Sequence, residues 1–440
     1  MKSYLKMGKA EMQRELDVLM GYYEKEKQKG HKLDMSRGKP DPMQLNLSMG
    51  MLEENPYDQI YTRKGTDVRN YGELAGVDEA KELFAELLGV EMDNIIIGGQ
   101  SSLCLMYDTI IKAIVLGVYG GSKPWGQQGP IKFLCPSPGY DRHFRICQEF
   151  GMEMITIPMT NTGPNMEMVR QYVENDASVK GIWCVPKYSN PTGVTYSADT
   201  VDAFAALKPA ADDFRIFWDN AYFVHGFSKH HDHLVNIFDA CKKYGSEDMV
   251  YEFISTSKMT FSGAGIAVIA ASRNNIKFLL RQMGVQTIGY DKINQLRHVR
   301  FFGSVEGLKR HMRKHASLMR PKFHCTLATL DRLLGGLDVG TWTRPRGGYF
   351  ISYDGLPGTA KRCVQLCKDA GVVLTDAGAA FPYGVDPEDK NVRIAPSDPT
   401  TEQLYLSMNV FCLCQRIAAL EILLGRQESR EAGEGAAETK

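Results

Sequence analysis

The chain has 440 residues, and its 52 Lys and Arg balance its 52 Asp and Glu, so the formal net charge is zero. Its 43% hydrophobic and 24% charged residues are the ordinary mix of a folded chain, which excludes disorder over most of the length. The zero balance argues against a broad face that neutralises nucleic-acid phosphates and leaves anion binding to a few placed cations and backbone donors.

Residues 1–30 read as one charged helix ending at Gly30, with no apolar core of a signal peptide. No apolar run approaches the roughly 18 residues of a membrane span, so cytoplasm, without membrane or nucleic acid, is the expectation. The 10 cysteines are scattered and read as reduced core residues rather than a disulfide framework. The close pairs Cys363/Cys367 and Cys412/Cys414 lack a second pair or histidine at zinc spacing, so no metal is expected.

A Pro/Gly-punctuated segment, Ser36-Arg37-Gly38-Lys39-Pro40-Asp41-Pro42, follows, then a loop at Asn70-Tyr71-Gly72 and a helical pattern over 78–88. The middle of the chain repeats one theme: a short apolar run, a polar or Gly-rich break, then helical periodicity. The runs are 95–97, 131–135, 181–185, 214–218 and 250–254. Such alternation predicts βαβ units and a mostly parallel sheet. Ligands bind such sheets outside the carboxyl ends of the strands, and here the polar residues gather at that end of each run. From Ser304 to about Arg332 the pattern is helical and basic. A smaller α/β unit then reads as strands at 347–351, 372–374 and 392–394 and helices over 359–370 and 401–424. Residues 426–440, rich in Glu, Gly and Ala, read as a flexible tail.

Lys258 closes an apolar run between Ser257 and Met259. It reads as an exposed strand-end lysine or as a desolvated amine, whose lowered pKa would free its lone pair for Schiff-base chemistry. Asp219 ends the run 214–218, where a carboxylate at the core boundary needs a cationic partner. It is either a helix cap or the counter-charge of a protonated ring nitrogen, with Tyr222 close enough to address the same ligand. Asn190-Pro191-Thr192-Gly193 is a turn whose amide stands at a strand end. Gly98-Gly99-Gln100-Ser101-Ser102 joins a strand to a helix and has the small residues of a phosphate cradle, without the spacing of a dinucleotide or ATP loop. Arg393, in the short run Val392-Arg393-Ile394, must be paired, with a protein carboxylate or with a ligand's. His225, His230, His231 and His233 lack metal-site spacing and read as a loop cluster.

Together these residues resemble the class I, fold type I pyridoxal-phosphate aminotransferases over about residues 36–425. The motifs stand in that family's order: Gly38-Lys39-Pro40-Asp41, Asn70-Tyr71-Gly72, Gly99-Gln100-Ser101, Pro138-Gly139-Tyr140, Asn190-Pro191-Thr192-Gly193, Asp219-Asn220-Ala221-Tyr222, Ser255-Thr256-Ser257-Lys258, Gly347-Gly348-Tyr349-Phe350 and Arg393. The wording around Lys39 and Lys258 is similar to a divergent aspartate aminotransferase subgroup. The resemblance implies an α/β fold: a large domain with a mostly parallel mixed sheet flanked by helices, plus a smaller α/β domain. The implied division is an N-terminal helix and arm (1–50) packing with the small domain, a large cofactor domain (51–320), a small domain (321–425) and the tail (426–440).

By the same resemblance, Lys258 carries pyridoxal 5'-phosphate and moves the substrate proton, Asp219 keeps the pyridine nitrogen protonated, and Tyr222 and Asn190 address the ring's phenolic oxygen. Tyr140 stacks on the ring. Gly99, Gln100, Ser101, Ser255 and Ser257 hold the phosphate. Tyr71 reaches the phosphate of a neighbouring subunit, which implies a homodimer with active sites at its interface. Arg393 and Asn190 clamp the substrate α-carboxylate near the Gly38 backbone. Most relatives carry an arginine shortly after the lysine that pairs with the phosphate; this chain has Ser262-Gly263-Ala264-Gly265 there. The expected reaction is transamination of a dicarboxylic amino acid, foremost aspartate, with 2-oxoglutarate as acceptor. Arg37, Lys39, Arg142 and Lys187 are the candidate cations for the second carboxylate. The alternatives are an aminotransferase for aromatic or small neutral amino acids, or a β-lyase or decarboxylase on the same scaffold. A transcriptional regulator is disfavoured, because about 35 residues before the first motif are too few for a DNA-binding module.

Overall fold

The computed structural model describes residues 2–53 and 60–437, with side chains through 427. Its strands, in chain order, are β1 (Leu33–Asp34), β2 (Ile95–Ile97), β3 (Lys132–Ser137), β4 (Glu153–Thr160), β5 (Gly163–Pro164), β6 (Val179–Cys184), β7 (Arg215–Asp219), β8 (Val250–Ser255), β9 (Ala267–Ala271), β10 (Gly340–Trp342), β11 (Ile351–Gly355), β12 (Val372–Val373) and β13 (Asn391–Ile394). Eight of them form one sheet in the order β2-β9-β8-β7-β6-β3-β4-β5. Strands β4, β3, β6, β7 and β8 run parallel to one another. β6, β7 and β8 are buried at every residue, because helices cover both faces and leave no side for alternating polar residues. Two apolar clusters, one around Ile182 and Trp218 and one around Phe133 and Phe217, fill the two faces.

The five apolar runs of the sequence are β2, β3, β6, β7 and β8, and the mixed, mostly parallel sheet agrees with expectation. Three further strands of this sheet escaped the sequence pattern. β4 alternates between buried and exposed residues, the signature of a strand near the sheet edge rather than a continuous apolar run. β5 is a two-residue edge strand. β9 pairs antiparallel with both β2 and β8; the short 256–266 connection is a turn and leaves no room for the helical crossover that a parallel partner needs.

A second, antiparallel sheet has the order β10-β11-β13 and sets Arg393 opposite Ser352. The strand expected at 347–351 begins only at Ile351. Gly347 instead bridges Gly226, and a Cβ on it would lie 2.3 Å from the Tyr188 ring. The glycine therefore lets the small sheet close onto the large one. The last helix runs over Thr401–Ala437, past position 424, so most of the segment expected as a loose tail is helical. Its Thr401–Gln427 part is long and apolar enough to cross a membrane by length and composition, contrary to the sequence expectation that no such run exists. That stretch is mostly buried in the fold, where it packs against the Lys9–Gln28 helix.

The arm between that first helix and the large sheet is tied down by buried polar groups. Asp41 caps the Pro42–Asn46 helix in a reciprocal box with Gln44. Its carboxylate also meets Lys322 of the Val305–Leu334 helix in a buried ion pair, and the same ammonium donates to the Ser397 carbonyl. Removing one partner of a buried pair strands the other charge. Lys322→Met should therefore cost about 3–5 kcal/mol, read as a lower urea midpoint, whereas an unchanged midpoint would mean that the arm is held by other contacts.

Candidate active site

Strands β3, β6, β7 and β8 end on one side of the sheet, and the residues that follow them meet there. Asp219 is the last residue of β7, in register with Phe253 of β8, so the Lys258 turn begins one strand away. Asp219 is buried. Its Oδ2 lies 3.1 Å from Nε2 of His143, a ring stacked on Trp183 at 4.4 Å. Its Oδ1 is buried with no hydrogen-bond partner. A carboxylate oxygen left bare in the interior is rare and costly, and it fits a ring N–H donor supplied by a bound group.

The Lys258 ammonium lies 5.1 Å from the Tyr222 ring and 6.0 Å from the Tyr349 ring. Burial pushes its pKa down, and the charge of Asp219 offsets part of that. The downward shift is that of a desolvated amine, and Lys258 is half-buried rather than an exposed strand-end residue. Burial raises the Tyr222 phenol well above its ordinary value, with Tyr140 and Asp219 adding to it. Tyr140 is shifted the same way and for the same leading cause. Both therefore stay protonated donors across the physiological range.

Arg393 is clasped from three sides. Its Nη1 donates to Asp141 Oδ1 at 2.7 Å and to Asn190 Oδ1 at 3.3 Å. Nη2 and Nε approach Thr375 Oγ1 at 3.3 and 3.4 Å, and the guanidinium stands 5.1 Å from the Phe350 ring. A Cβ on Gly38 would fall 2.3 Å from that same ring, so only glycine lets the arm backbone press on the ring beneath Arg393.

The strand-to-helix loop after β2 forms a neutral cradle. Ser255 Oγ donates to Ser257 Oγ at 3.1 Å, and Ser257 Oγ to the Gln100 carbonyl at 3.4 Å. Ser101 caps the Ser102–Leu116 helix by accepting from Cys104 N, and Gly99 faces the Tyr290 ring. A Cβ on Gly265 would lie 3.0 Å from the Gln100 carbonyl and 3.2 Å from Ser257 N. The segment that lacks an arginine thus closes directly on the cradle backbone. Hydroxyls, amides and a helix N-terminus suit a phosphate.

Of the residues singled out in the sequence, Lys258, Asp219, Tyr222, Tyr140, Asn190 and Arg393 come together, with Ser255, Ser257 and the 99–101 loop beside them and Gly38 packed on Phe350. Tyr71 does not join them; it is 80% exposed. Among the candidate cations, Lys39 pairs with Asp398 at 3.1 Å, Lys187 lines a separate cavity with Phe223 and Arg320, and Arg37 and Arg142 are exposed. The histidine cluster divides: His230, His231 and His233 are exposed, whereas His225 is buried and its Nε2 donates to the Lys258 carbonyl at 3.2 Å. Sequence reasoning missed Asp141 and His143, although both follow Tyr140 at the start of a helix that a strand-end loop aims at the site. It also missed His298, His311 and His315, buried around the Lys258 turn.

The crystal structure of an aspartate transaminase from Corynebacterium glutamicum matches this fold with a TM-score of 0.91, at 41% identity over 93% of this chain and 96% of that one. The fold and the grouped residues thereby define a fold type I aminotransferase. A family model described as aspartate amino-transferase matches residues 7–427, and the chain belongs to that family. A Corynebacterium glutamicum protein named aspartate aminotransferase is 42% identical over 90% of this chain and 91% of its own length. A provisionally named aminotransferase of Mycolicibacterium smegmatis is 43% identical over 96% of this chain and 99% of its own.

Burial lowers His225 to about 3 and His298 and His315 to about 4, whereas the unfolded chain takes up these protons near 6.5. The folded pKa values are depressed, so the unfolded state binds more protons as pH falls below 6.5 and stability is lost towards pH 4. Glu252, raised by burial to about 7, opposes this within the same window, one carboxyl against four imidazoles, since burial lowers His311 as well. The urea midpoint should therefore fall steadily from pH 6.5 to 4; a midpoint flat across that range would show that the histidines are not held neutral.

Proposed function

We propose that this aminotransferase uses pyridoxal 5'-phosphate to transaminate aspartate, with 2-oxoglutarate as amino acceptor, as a cytoplasmic homodimer. The observation that carries the reading is a half-buried Lys258, its amine desolvated, near a buried Asp219 whose Oδ1 has no partner. The bound cofactor supplies an electron sink for the carbanion left when the substrate loses its α-proton. Asp219, with His143 behind it, holds a proton on the ring nitrogen. Lys258, as a free amine, would take the α-proton from the substrate carbon and return it to the cofactor carbon that receives the amino nitrogen. Tyr222 and Asn190 donate to the ring's phenolic oxygen, and Tyr140 covers the ring face. Gly99, Gln100, Ser101, Ser255 and Ser257 hold the phosphate with neutral donors. Arg393 takes the α-carboxylate beside Asn190, under the Gly38 backbone.

The division into an arm (1–50), a large cofactor part (51–320), a small part (321–425) and a tail (426–440) is supported by the separate eight-stranded and three-stranded sheets. The homodimer is supported by exposed apolar residues on two loops in contact. Tyr71 and Ile288 are 80% and 59% exposed, and Lys292 Nζ donates to the Gly72 carbonyl at 3.1 Å, which holds the loops together. An exposed apolar patch of this kind marks an interaction surface, and a second copy would bring Tyr71 towards the neighbouring cradle. Aspartate as substrate rests on family membership and on the similarity to an aspartate aminotransferase of Corynebacterium glutamicum. The steady-state test compares aspartate, tyrosine and alanine with 2-oxoglutarate as acceptor, and glutamate with oxaloacetate as acceptor. Aspartate and glutamate should turn over best; good turnover of tyrosine or alanine alone would overturn the substrate assignment.

Asp141 sets a condition on that clamp. Its carboxylate occupies Arg393 at 2.7 Å, so an arriving α-carboxylate competes with it for the same guanidinium. Asp141→Asn removes the competing charge and should lower KM for the amino acid about two- to fivefold, the equivalent of ~0.5–1 kcal/mol for a partly exposed pair, with kcat little changed. A raised KM would show instead that Asp141 is needed to hold Arg393 in place.

A further inference from the structure

The turn that carries Lys258 is gripped from behind by buried rings that the proposed chemistry does not use. Within the turn, Met259 N and Thr260 N bond the Thr256 carbonyl at 2.8 and 2.9 Å. That leaves the carbonyls of Lys258 and Met259 to find donors elsewhere. His225 supplies one, and His311 Nε2 supplies the other at 2.7 Å. His315 Nε2 lies 3.1 Å from His311 Nε2, and His315 Nδ1 lies 3.2 Å from Gln44 Nε2. Gln44 Nε2 also donates to the Tyr349 hydroxyl at 3.1 Å.

The proton positions follow from this chain of contacts. The Gln44 Oε1 accepts from Asp41 N at 3.1 Å in the helix cap, which turns the amide's Nε2 towards His315. An amide Nε2 only donates, so His315 Nδ1 is the acceptor and its proton sits on Nε2. His311 Nε2, facing a carbonyl, must carry a proton as well. Both rings are then neutral and direct Nε2–H groups to the same region at Met259. Burial depresses the pKa of both rings, which favours that neutral pair. On the other side of the turn, His298 Nδ1 donates to the Asn294 carbonyl and its Nε2 accepts from the Thr256 and Thr260 hydroxyls. The relay starts at the carbonyl next to Lys258 and ends at Tyr349, whose ring is 6.0 Å from the Lys258 amine. It therefore closes a ring of contacts around that amine and includes the arm residue Gln44.

We propose that Gln44, His315 and His311 are positioning residues that set where the Lys258 amine stands between Tyr222 and Tyr349. The proposal rests on the reading of Lys258 as the reacting amine. An apolar side chain of similar volume at 311 would fill the same space but remove the short donor to the Met259 carbonyl, which would keep the Ser48 hydroxyl at 3.5 Å, and the turn would relax away from the two rings. A misplacement of about 1 Å in a reacting group lowers rate about a hundredfold. The relay also ties the lysine to the arm that packs beside Arg393, so the two ends of the site share one hydrogen-bonded frame.

The test uses the full-length protein and the variants His311→Leu, His311→Gln and Gln44→Leu, each checked by circular dichroism and melting. A glutamine at 311 places an amide N–H where the imidazole Nε2–H stood. Two readouts are taken. One is the pH midpoint of the visible band after loading with pyridoxal phosphate. The other is the rate at which acetic anhydride labels Lys258 relative to surface lysines in protein freed of the cofactor, read by peptide mass spectrometry. His311→Leu and Gln44→Leu should shift the midpoint by about one pH unit and change Lys258 labelling about tenfold, while His311→Gln stays near wild type. Folded leucine variants with wild-type labelling and midpoint would overturn the proposal. If His311→Leu fails to fold, Gln44→Leu decides by the same criteria. If the wild-type protein never takes up pyridoxal phosphate, the functional reading falls, and the labelling rates still decide on the relay.

Discussion

The burial of one carboxylate and the partial burial of one amine at adjacent strand ends govern the architecture of this site. An isolated charge in a protein interior is strongly unfavourable, and proteins respond by pairing it, neutralising it or supplying hydrogen bonds. Lys258 and Asp219 do not form a direct ion pair. Each is instead held by its own set of supports: Asp219 by His143 stacked on Trp183, Lys258 by two aromatic rings and a turn fixed by buried histidines. The space between them suits a flat, charged ring with a donor for Asp219 and a carbonyl for Lys258. The sheet makes this possible, because parallel strands deliver their carboxyl ends to one edge.

A second constraint concerns anions. The net charge of zero gives no general attraction for them, so each must be recognised locally. The cradle around Ser255, Ser257 and Gln100 would do this with neutral donors, and Gly265 packs too tightly on it for a side chain to enter without a shift. Arg393 would do it with a guanidinium already engaged by Asp141, Asn190 and Thr375. A charge held ready in this way loses little freedom when a carboxylate arrives, and on the proposed reading Asp141 would tune the affinity by competing for it.

Much of this was legible in the sequence because the chemistry sits at punctuation marks. Lys258, Asp219 and Asn190 each follow an apolar run, and a parallel sheet turns that one-dimensional position into a shared edge. The motif order then separated one family from other α/β sheets. What the sequence did not disclose depends on contacts between distant segments. Asp141 and Arg393 are paired across 252 positions, and His311 reaches the Met259 carbonyl across 52; neither pairing leaves a local pattern. β4 and β9 were passed over for a different reason. One alternates in polarity and the other lies across a short turn, so neither has the helix-flanked apolar pattern of the other strands. The final helix outran its expected end because its apolar stripe stops near Leu424 while the Glu- and Ala-rich stretch that follows still favours helix.

The central claim is that Lys258, and no other lysine, carries the cofactor's carbonyl carbon. It is tested most directly by incubating the purified protein with pyridoxal phosphate, reducing with borohydride, digesting, and locating the modified residue by mass spectrometry. The account predicts stoichiometric modification of the peptide containing Lys258, abolished by Lys258→Ala without label appearing elsewhere. Modification spread over surface lysines, or an unlabelled Lys258 in a folded protein, would contradict it.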